Sequence, residues 1–321
     1  MTELSMMIEG QDGVNWPLWK RLVEDVEALG FAGMFRSDHY TNARPPEKDS
    51  LEMVVSLAYL ADHTKRMHFG PLVAPLSFRE PTMLVRQAAA IDDLSEGRML
   101  LGLGAGWQER EHTMFGHNLG EMKERMDRFE EGVEVVTSLL NSNEPVNFEG
   151  RYFHLREAVL LPRPQRPGGP RILIGGSGRK RTLPLVARYA SQWNAVAPSP
   201  KEFGEMSALL DDLTREHGRQ PGDVKRSVMN MVIFGRTRED LQERLSKPPF
   251  NTPAVEGKSL EEKIAFWRDE RNALIGDGKE IAEQIGAYSK AGAEEVMTQW
   301  FHLDDAAGLR AYAEDVLPNL G

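Results

Sequence analysis

Two rhythms of apolar residues alternate along the chain. Short runs that are apolar almost throughout give way to longer segments where apolar residues recur every three or four positions. The runs at 4–9, 32–37, 67–76, 98–106, 171–178, 192–197, 228–235 and 294–301 predict strands. The segments at 18–30, 50–64, 81–97, 121–141, 183–190, 200–217, 237–245 and 304–317 predict helices. Local punctuation agrees: Gly30 closes the first helix, Ser50 opens the second, and Pro81 stands in the first turn of the third. A strand followed by a helix, repeated eight times, implies parallel pairing, because each helix is the crossover that a parallel connection requires. The predicted architecture is an α/β fold, a (β/α)8 TIM barrel, whose bare form takes about 250 residues. Residues 1–321 are read as one domain, with insertions near 143–170 (polar, proline-rich, holding a small hairpin) and 246–276. An open doubly wound sheet, the other architecture considered, would show fewer strands and a dinucleotide fingerprint.

A barrel puts its chemistry at the C-terminal ends of the strands. The candidates are therefore Glu9-Gly10, Ser37-Asp38-His39, Leu72 to Pro75, Gly104-Ala105-Gly106, Gly175 to Gly178, Asn194 and Trp300. In "MFRSDHYT" (34–41) an apolar run ends in an Asp-His pair, readable as a solvated loop rim or as groups placed at a reacting centre. "ILIGGSGRKRTL" joins a strand, a glycine-rich turn and a helix start, an arrangement that binds phosphate through backbone N–H groups. It fits neither a Rossmann fingerprint, since Arg181 replaces the third glycine, nor a P-loop. Cations at a helix start oppose the macrodipole by about 0.3–1 kcal/mol each, so the triplet Arg179-Lys180-Arg181 suggests an anion; the alternative is a tight turn with solvated arginines. "GLGAGW" (102–107) bares one strand face, either for a flat ring or for a closely packed neighbour. Pro75 in "GPLVAPL" makes the third strand irregular. His63, His68, His217 and His302 read as helix-end or strand-edge residues, Asp92-Asp93 as surface charges at a helix end, and Trp300 as a core aromatic. No metal-ligand set is predicted: His112 and His117 lie five apart, off a single helical face.

Composition narrows the choice. With 40% apolar and 27% charged residues the chain is of the soluble globular type. No apolar run approaches the roughly 20 residues that span a bilayer. A net charge of −10 gives no support to nucleic-acid binding, and the absence of cysteine removes thiolate chemistry. "MTELSMMIEGQDG" has no signal-peptide pattern, so a cytoplasmic location is expected.

Five blocks in this order, "GFAGMFRSDHY", "REPTMLVRQAAAIDDLSEGRMLLGLGAGWQERE", "RMDRFEEGVEVVTSLL", "GRYFHL" and "PRPQRPGGPRILIGGSGRKRTLPLVARYASQWN", resemble the bacterial-luciferase-like flavin and deazaflavin oxidoreductases, and the "SDH" and "GGSG" turns its F420-dependent branch. That resemblance implies a (β/α)8 barrel and a cofactor, coenzyme F420 or alternatively FMN. It implies Asp38 at the ring, His39 as acid or base, and a non-proline cis peptide at Leu72–Val73, with Pro75 beside it. Ala105 and Gly106 would contact the ring or tail, and Gly176, Ser177, Gly178 and Arg179 the phosphate. Trp107 stands where some deazaflavin sugar dehydrogenases carry a catalytic glutamate, which favours a larger apolar substrate over a sugar phosphate. The activity implied is hydride transfer between the deazaflavin C5 and a small organic substrate. The alternatives are an FMN-dependent two-component monooxygenase served by a separate reductase, and a barrel that binds a flavin-like ligand without catalysis. Family members are often homodimers, which is the expectation here.

Overall fold

Why the strand segments read as unbroken apolar runs is clear from the first of them, in a computed structural model that describes residues 2–320. In β1 (Glu3–Ile8) Leu4, Met6 and Ile8 join the core beneath the helices, while Met7 joins a separate apolar cluster. Both faces are buried, as they must be in a parallel sheet covered by helices. The strands that follow are β2 (Gly33–Arg36), β3 (His68–Pro71), β4 (Ala74–Pro75) and β5 (Leu100–Gly104). A hairpin of β6 (Val146–Glu149) and β7 (His154–Ala158) lies in the first insertion, as expected. Next come β8 (Arg171–Gly175), β9 (Gln192–Val196), β10 (Lys225–Phe234), β11 (Leu274–Gly276) and β12 (Glu295–Gln299).

Hydrogen bonding runs β3-β2-β1-β12-β10-β9-β8-β5-β4, all parallel. The third predicted strand is broken into β3 and β4: β3 pairs with β2, β4 pairs with β5, and Phe69 bridges Met99. That break closes the ring, so the eight predicted strands do form a barrel. Helices α1 (Trp16–Leu29), α2 (Met53–His63), α3 (Pro81–Leu94), α4 (Glu109–Phe115), α5 (Met122–Asn141), α6 (Thr182–Tyr189) and α7 (Pro200–Glu216) follow the early strands. They are succeeded by α8 (Arg238–Leu245), α9 (Leu260–Ala265), α10 (Gly278–Lys290) and α11 (Ala306–Val316).

One assignment changes. The segment 237–245, expected as the seventh crossover helix, is α8, and its Leu241 and Leu245 pack in a side cluster with Phe250, Ile264 and Trp267. The crossover itself is α10, whose Ile281, Ile285 and Tyr288 reach the main core. An eight-residue helix offers two buried leucines, whereas α10 presents a full apolar stripe. The second insertion therefore begins before 246, and it adds β11 to the upper end of β10.

The barrel interior is layered. At the N-terminal end of the strands Glu295 is fully buried, accepting hydrogen bonds from Ser5, His68 Nε2 (2.7 Å), Gln192 Nε2 (2.8 Å) and Lys225 Nζ (2.9 Å). Glu3, His68 and Glu295 cluster closely enough to hold a cation, and Lys225 already supplies one, its Nζ bonding both carboxylates. Above it, Met7, Phe35, Leu100, Leu173 and Met297 form an apolar plug. The next layer is open.

Asp92 also differs from expectation. It is fully buried and receives Arg166 Nη2 on both oxygens at 2.9 Å, pinning the first insertion to α3.

Candidate active site

The open layer is a cavity of 480 Å³ at the strands' C-terminal ends, with Met7, Glu9, His39, Leu72, Trp107 and Gln299 among its walls. A second, adjoining compartment of 280 Å³ is lined by Gly104, Ala105, Gly175, Gly176 and Asn194. The two share Leu72, Val73, Gly106, Trp107, Val196 and Met229. A larger groove of 750 Å³ lies between residues 12–21 and 301–305, and its charges pair with each other: Lys48 with Asp12, Arg21 with Asp304.

The loop after β2 is fixed from below by a buried guanidinium. Arg36 donates from Nε to Ser37 O (3.1 Å), from Nη1 to Ser56 Oγ (2.7 Å) and from Nη2 to Leu51 O (2.7 Å). Burial pulls its pKa down to about 10. Its three bonds hold both ends of the 37–51 loop in one place. Asp38 does not line the cavity: both its oxygens are taken by Arg79, at 2.8 and 2.7 Å, and Arg79 also reaches Glu52 at 2.9 Å. The ring contact expected of Asp38 is thus replaced by a bidentate ion pair that anchors the loop.

His39 does face the cavity. Its Nδ1–H donates to Glu111 Oε1 at 2.8 Å, while Glu111 Oε2 accepts from the Tyr40 N–H at 2.9 Å. Glu111 is itself buried. This fixes the tautomer and leaves Nε2 without a protein partner among the described residues. Burial alone lowers the His39 pKa, but the hydrogen bond and charge of Glu111, aided by Glu9 and Asp38, outweigh it, and the net shift is upward. Trp107 stands edge-on to the imidazole, ring centres 5.6 Å apart at 84°, with 63% of its surface exposed.

Polar groups on one wall are tied together. Ser37 Oγ donates to Gln11 Oε1 (2.7 Å), Gln11 Nε2 to Glu9 Oε2 (2.8 Å), and Gln299 Nε2 to Glu9 Oε1. Opposite, the Leu72–Val73 peptide is cis, as the resemblance implies, and Pro75 continues that wall.

The alternating glycines have a packing role. A Cβ on Gly102 would lie 2.0 Å from Pro71 O, and one on Gly104 2.3 Å from Val73 Cγ2. The bared face of β5 receives the broken third strand, not a flat ligand directly. Ala105 and Gly106 line the second compartment, with Gly106 at φ +84° and its carbonyl accepting from Arg125 Nη1 at 3.0 Å.

Gly176 also lines that compartment, at φ +121°, which favours glycine. Ser177, Gly178 and Arg179 are exposed beyond it. The basic triplet is largely neutralised from other helices: Arg179 bonds Glu205 (3.1 Å), and Arg181 bonds Asp127 (2.7 Å) and Glu130 (2.8 Å). No bound anion is needed to offset those two cations. Trp300 is a core residue, and His112 is buried with Nδ1 against Gln108 O and Nε2 against Ser77 Oγ.

Glu111 and Arg79 are the site residues the sequence did not single out. Both stand in charged stretches, "QERE" and "FRE", that read as helix-start surface. The one available signal was an acidic residue in the first turn after the β5 glycines.

Among the described residues no helix is long and apolar enough to cross a membrane. The chain is 27% identical over 312 residues to an F420-dependent glucose-6-phosphate dehydrogenase of Amycolatopsis mediterranei (strain U-32), covering 92% of this chain and 91% of that one. It is 31% identical over 227 residues to a phthiodiolone/phenolphthiodiolone dimycocerosates ketoreductase of Mycobacterium kansasii, covering 70% and 59% respectively. An F420-dependent secondary alcohol dehydrogenase, solved with an F420–acetone adduct, superposes with a TM-score of 0.82 at 18% identity, covering 100% of this chain and 99% of that one. A sequence model of the luciferase-like monooxygenase family matches residues 9–295, nearly the whole barrel, and the chain belongs to that family.

Proposed function

We propose that this chain is an F420-dependent oxidoreductase that moves hydride between the deazaflavin C5 and a small, uncharged organic substrate. The observation that carries this reading is the His39–Glu111 pair, which aims a free Nε2 into a cavity walled by the Leu72–Val73 break. Its coenzyme is inferred from the F420-dependent relatives that match end to end. The residues fit such a group: the second compartment is lined by Asn194, whose buried Oδ1 has no partner, and by Gly176, next to the exposed 177–180 turn. Leu72, Val73, Ala105, Gly106 and Gly176 would hold the ring, and Ser177, Gly178 and Arg179 the anionic tail. When bound, F420 supplies hydride transfer without ready reaction with oxygen.

The protein's own part is orientation and a proton. His39 gives or takes that proton at Nε2, while Glu111 holds the ring and balances the imidazolium. Asp38 and Arg36 act through the loop, keeping His39 in register with the cavity. The apolar plug and the Leu72–Val73 wall keep water from beneath.

Substrate charge follows from the lining. None of the described residues around the 480 Å³ cavity is a lysine or arginine, and Glu9 contributes a carboxylate. A dianionic sugar phosphate would meet no cation there, so the substrate of the dehydrogenase relative is not carried over. An alcohol, ketone, activated alkene or imine suits these walls.

Titration of the purified protein with oxidised F420 and with reduced FMN tests the coenzyme. Micromolar binding of F420 with negligible FMN binding is expected, and the reverse would make the protein a flavin-dependent monooxygenase. A homodimer belongs to the same reading: Val55 and Met83 are exposed near the starts of the adjacent helices α2 and α3. Light scattering is expected to give twice the chain mass, and a monomer at tens of micromolar would overturn that part alone.

A further inference from the structure

The barrel strands send alternate side chains inward, and β9 contributes Gln192, Asn194 and Val196 from the closed end towards the mouth. Gln192 belongs to the Glu295 network, and Val196 reaches the cavity mouth. Asn194 lies between them, 1% exposed, against Met297 of the apolar plug and in the wall of the second compartment. An amide among Leu72, Val73 and Met229 is costly unless its polar atoms are satisfied. Only one half of it is. Nδ2 donates to Ser227 Oγ at 3.0 Å and lies 3.3 Å from Met297 Sδ.

The orientation of the amide is set by its neighbours. Ser227 has a single hydroxyl hydrogen, and it is spent on Trp193 O at 2.8 Å. Ser227 Oγ can therefore only accept from Asn194, and the methionine sulfur is likewise an acceptor. Both contacts select the N–H side of the amide. Oδ1 is turned the other way, buried and without a partner. A purely structural asparagine would have both sides satisfied; here one acceptor is left over on a residue that lines the compartment.

We propose that Asn194 is a recognition residue, its Oδ1 accepting a hydrogen bond from an N–H or O–H donor on the molecule seated in the second compartment. The proposal rests on the coenzyme reading above. The donor is either an N–H or O–H of the deazaflavin ring system or a hydroxyl or N–H of the substrate. In either case the compartment selects against a ligand that presents only acceptors or hydrocarbon at that point, because two unpaired groups would then face each other or Oδ1 would stay orphaned.

The variant Asn194→Leu keeps the shape of the side chain and removes the acceptor, while Ser227 retains its bond to Trp193 O. The wild-type and variant proteins are compared by calorimetric titration with oxidised F420, by thermal unfolding with and without F420, and by steady-state kinetics. A coenzyme donor predicts about tenfold weaker F420 binding in the variant and a smaller F420-induced rise in Tm. The unliganded Tm would be unchanged or higher, since an orphaned polar group has been removed. A substrate donor predicts unchanged F420 affinity and about tenfold higher KM. Unchanged affinity and KM together overturn the proposal, as does a lowered unliganded Tm with ligand binding intact. Should Asn194→Leu not fold, Asn194→Ala carries the same comparison without added volume, and failure of both to fold makes Asn194 structural and overturns it too. Wild-type protein that binds no F420 would instead refute the coenzyme reading itself.

Discussion

Replacing His39 with alanine is expected to lower kcat/KM by about 10²–10⁴-fold, the usual contribution of a positioned general acid or base. F420 affinity is expected to stay close to wild type, because the side chain stands at the cavity wall, while Tm should fall modestly, since buried Glu111 keeps only its bond to the Tyr40 N–H. The pH profile separates a proton role from a packing role. Glu111 holds the His39 pKa above its ordinary 6.5 against the opposing pull of burial. The upward shift favours the imidazolium, the form that donates in the reductive direction. Reductive kcat/KM should be flat at low pH and fall as pH rises through that elevated pKa; oxidative turnover should show the opposite limb. Glu111→Gln removes the charge that raises the pKa and leaves burial in force, so both limbs should move to lower pH. The same linkage acts on stability: the His39–Glu111 pair contributes fully below about pH 6.5 and its contribution is lost as pH rises through the folded value. A His39→Ala enzyme with kcat/KM within threefold of wild type would falsify the proton role.

Glu295→Ala should destabilise the protein by about 3–5 kcal/mol at pH 7, read from denaturant unfolding, the cost typical of breaking a buried charge network from one side. The carboxylate is fully buried, and its removal strands four donors: the Ser5 hydroxyl, His68 Nε2, Gln192 Nε2 and the Lys225 ammonium. Lys225 would keep only the partly exposed Glu3. Burial by itself pushes the Glu295 pKa up, but the hydrogen bonds and charges of His68, Lys225 and Ser5 hold it well below the carboxylate range. Its contribution is therefore complete above about pH 4.5 and is lost as pH falls through the depressed folded value. The alanine variant should accordingly show a flatter acid limb in its stability profile. A loss under about 1 kcal/mol would mean the network is internally frustrated and contributes little net stability.

Most of the barrel was legible because a strand buried on both faces and an amphipathic helix have different apolar periods, and those differ visibly over ten residues. What escaped were elements too short to show a period. The three residues of β11 and the seven of α4 give no stripe to read. α4 brought Glu111 with it, so the partner of His39 was hidden inside a run of surface-like charges. Position along the chain located the site, but partners 41 to 72 residues away decided what its side chains do. Arg79 ties both oxygens of Asp38 into the loop, and Glu111 holds the His39 ring and raises its pKa. The partners of the basic triplet escaped for the same reason: Asp127, Glu130 and Glu205 come from α5 and α7, which no local pattern could bring to the 179–181 turn.

The division of the third strand couples two things that could have been independent. β3 belongs to the hydrogen-bond ladder of β2 and β4 to that of β5, so the segment between them is both the seam that closes the cylinder and a wall of the cavity. A chain whose seam has opened has no binding site, and a filled site can exist only on a closed cylinder. Ligand occupancy must therefore tighten the whole ring by mass action.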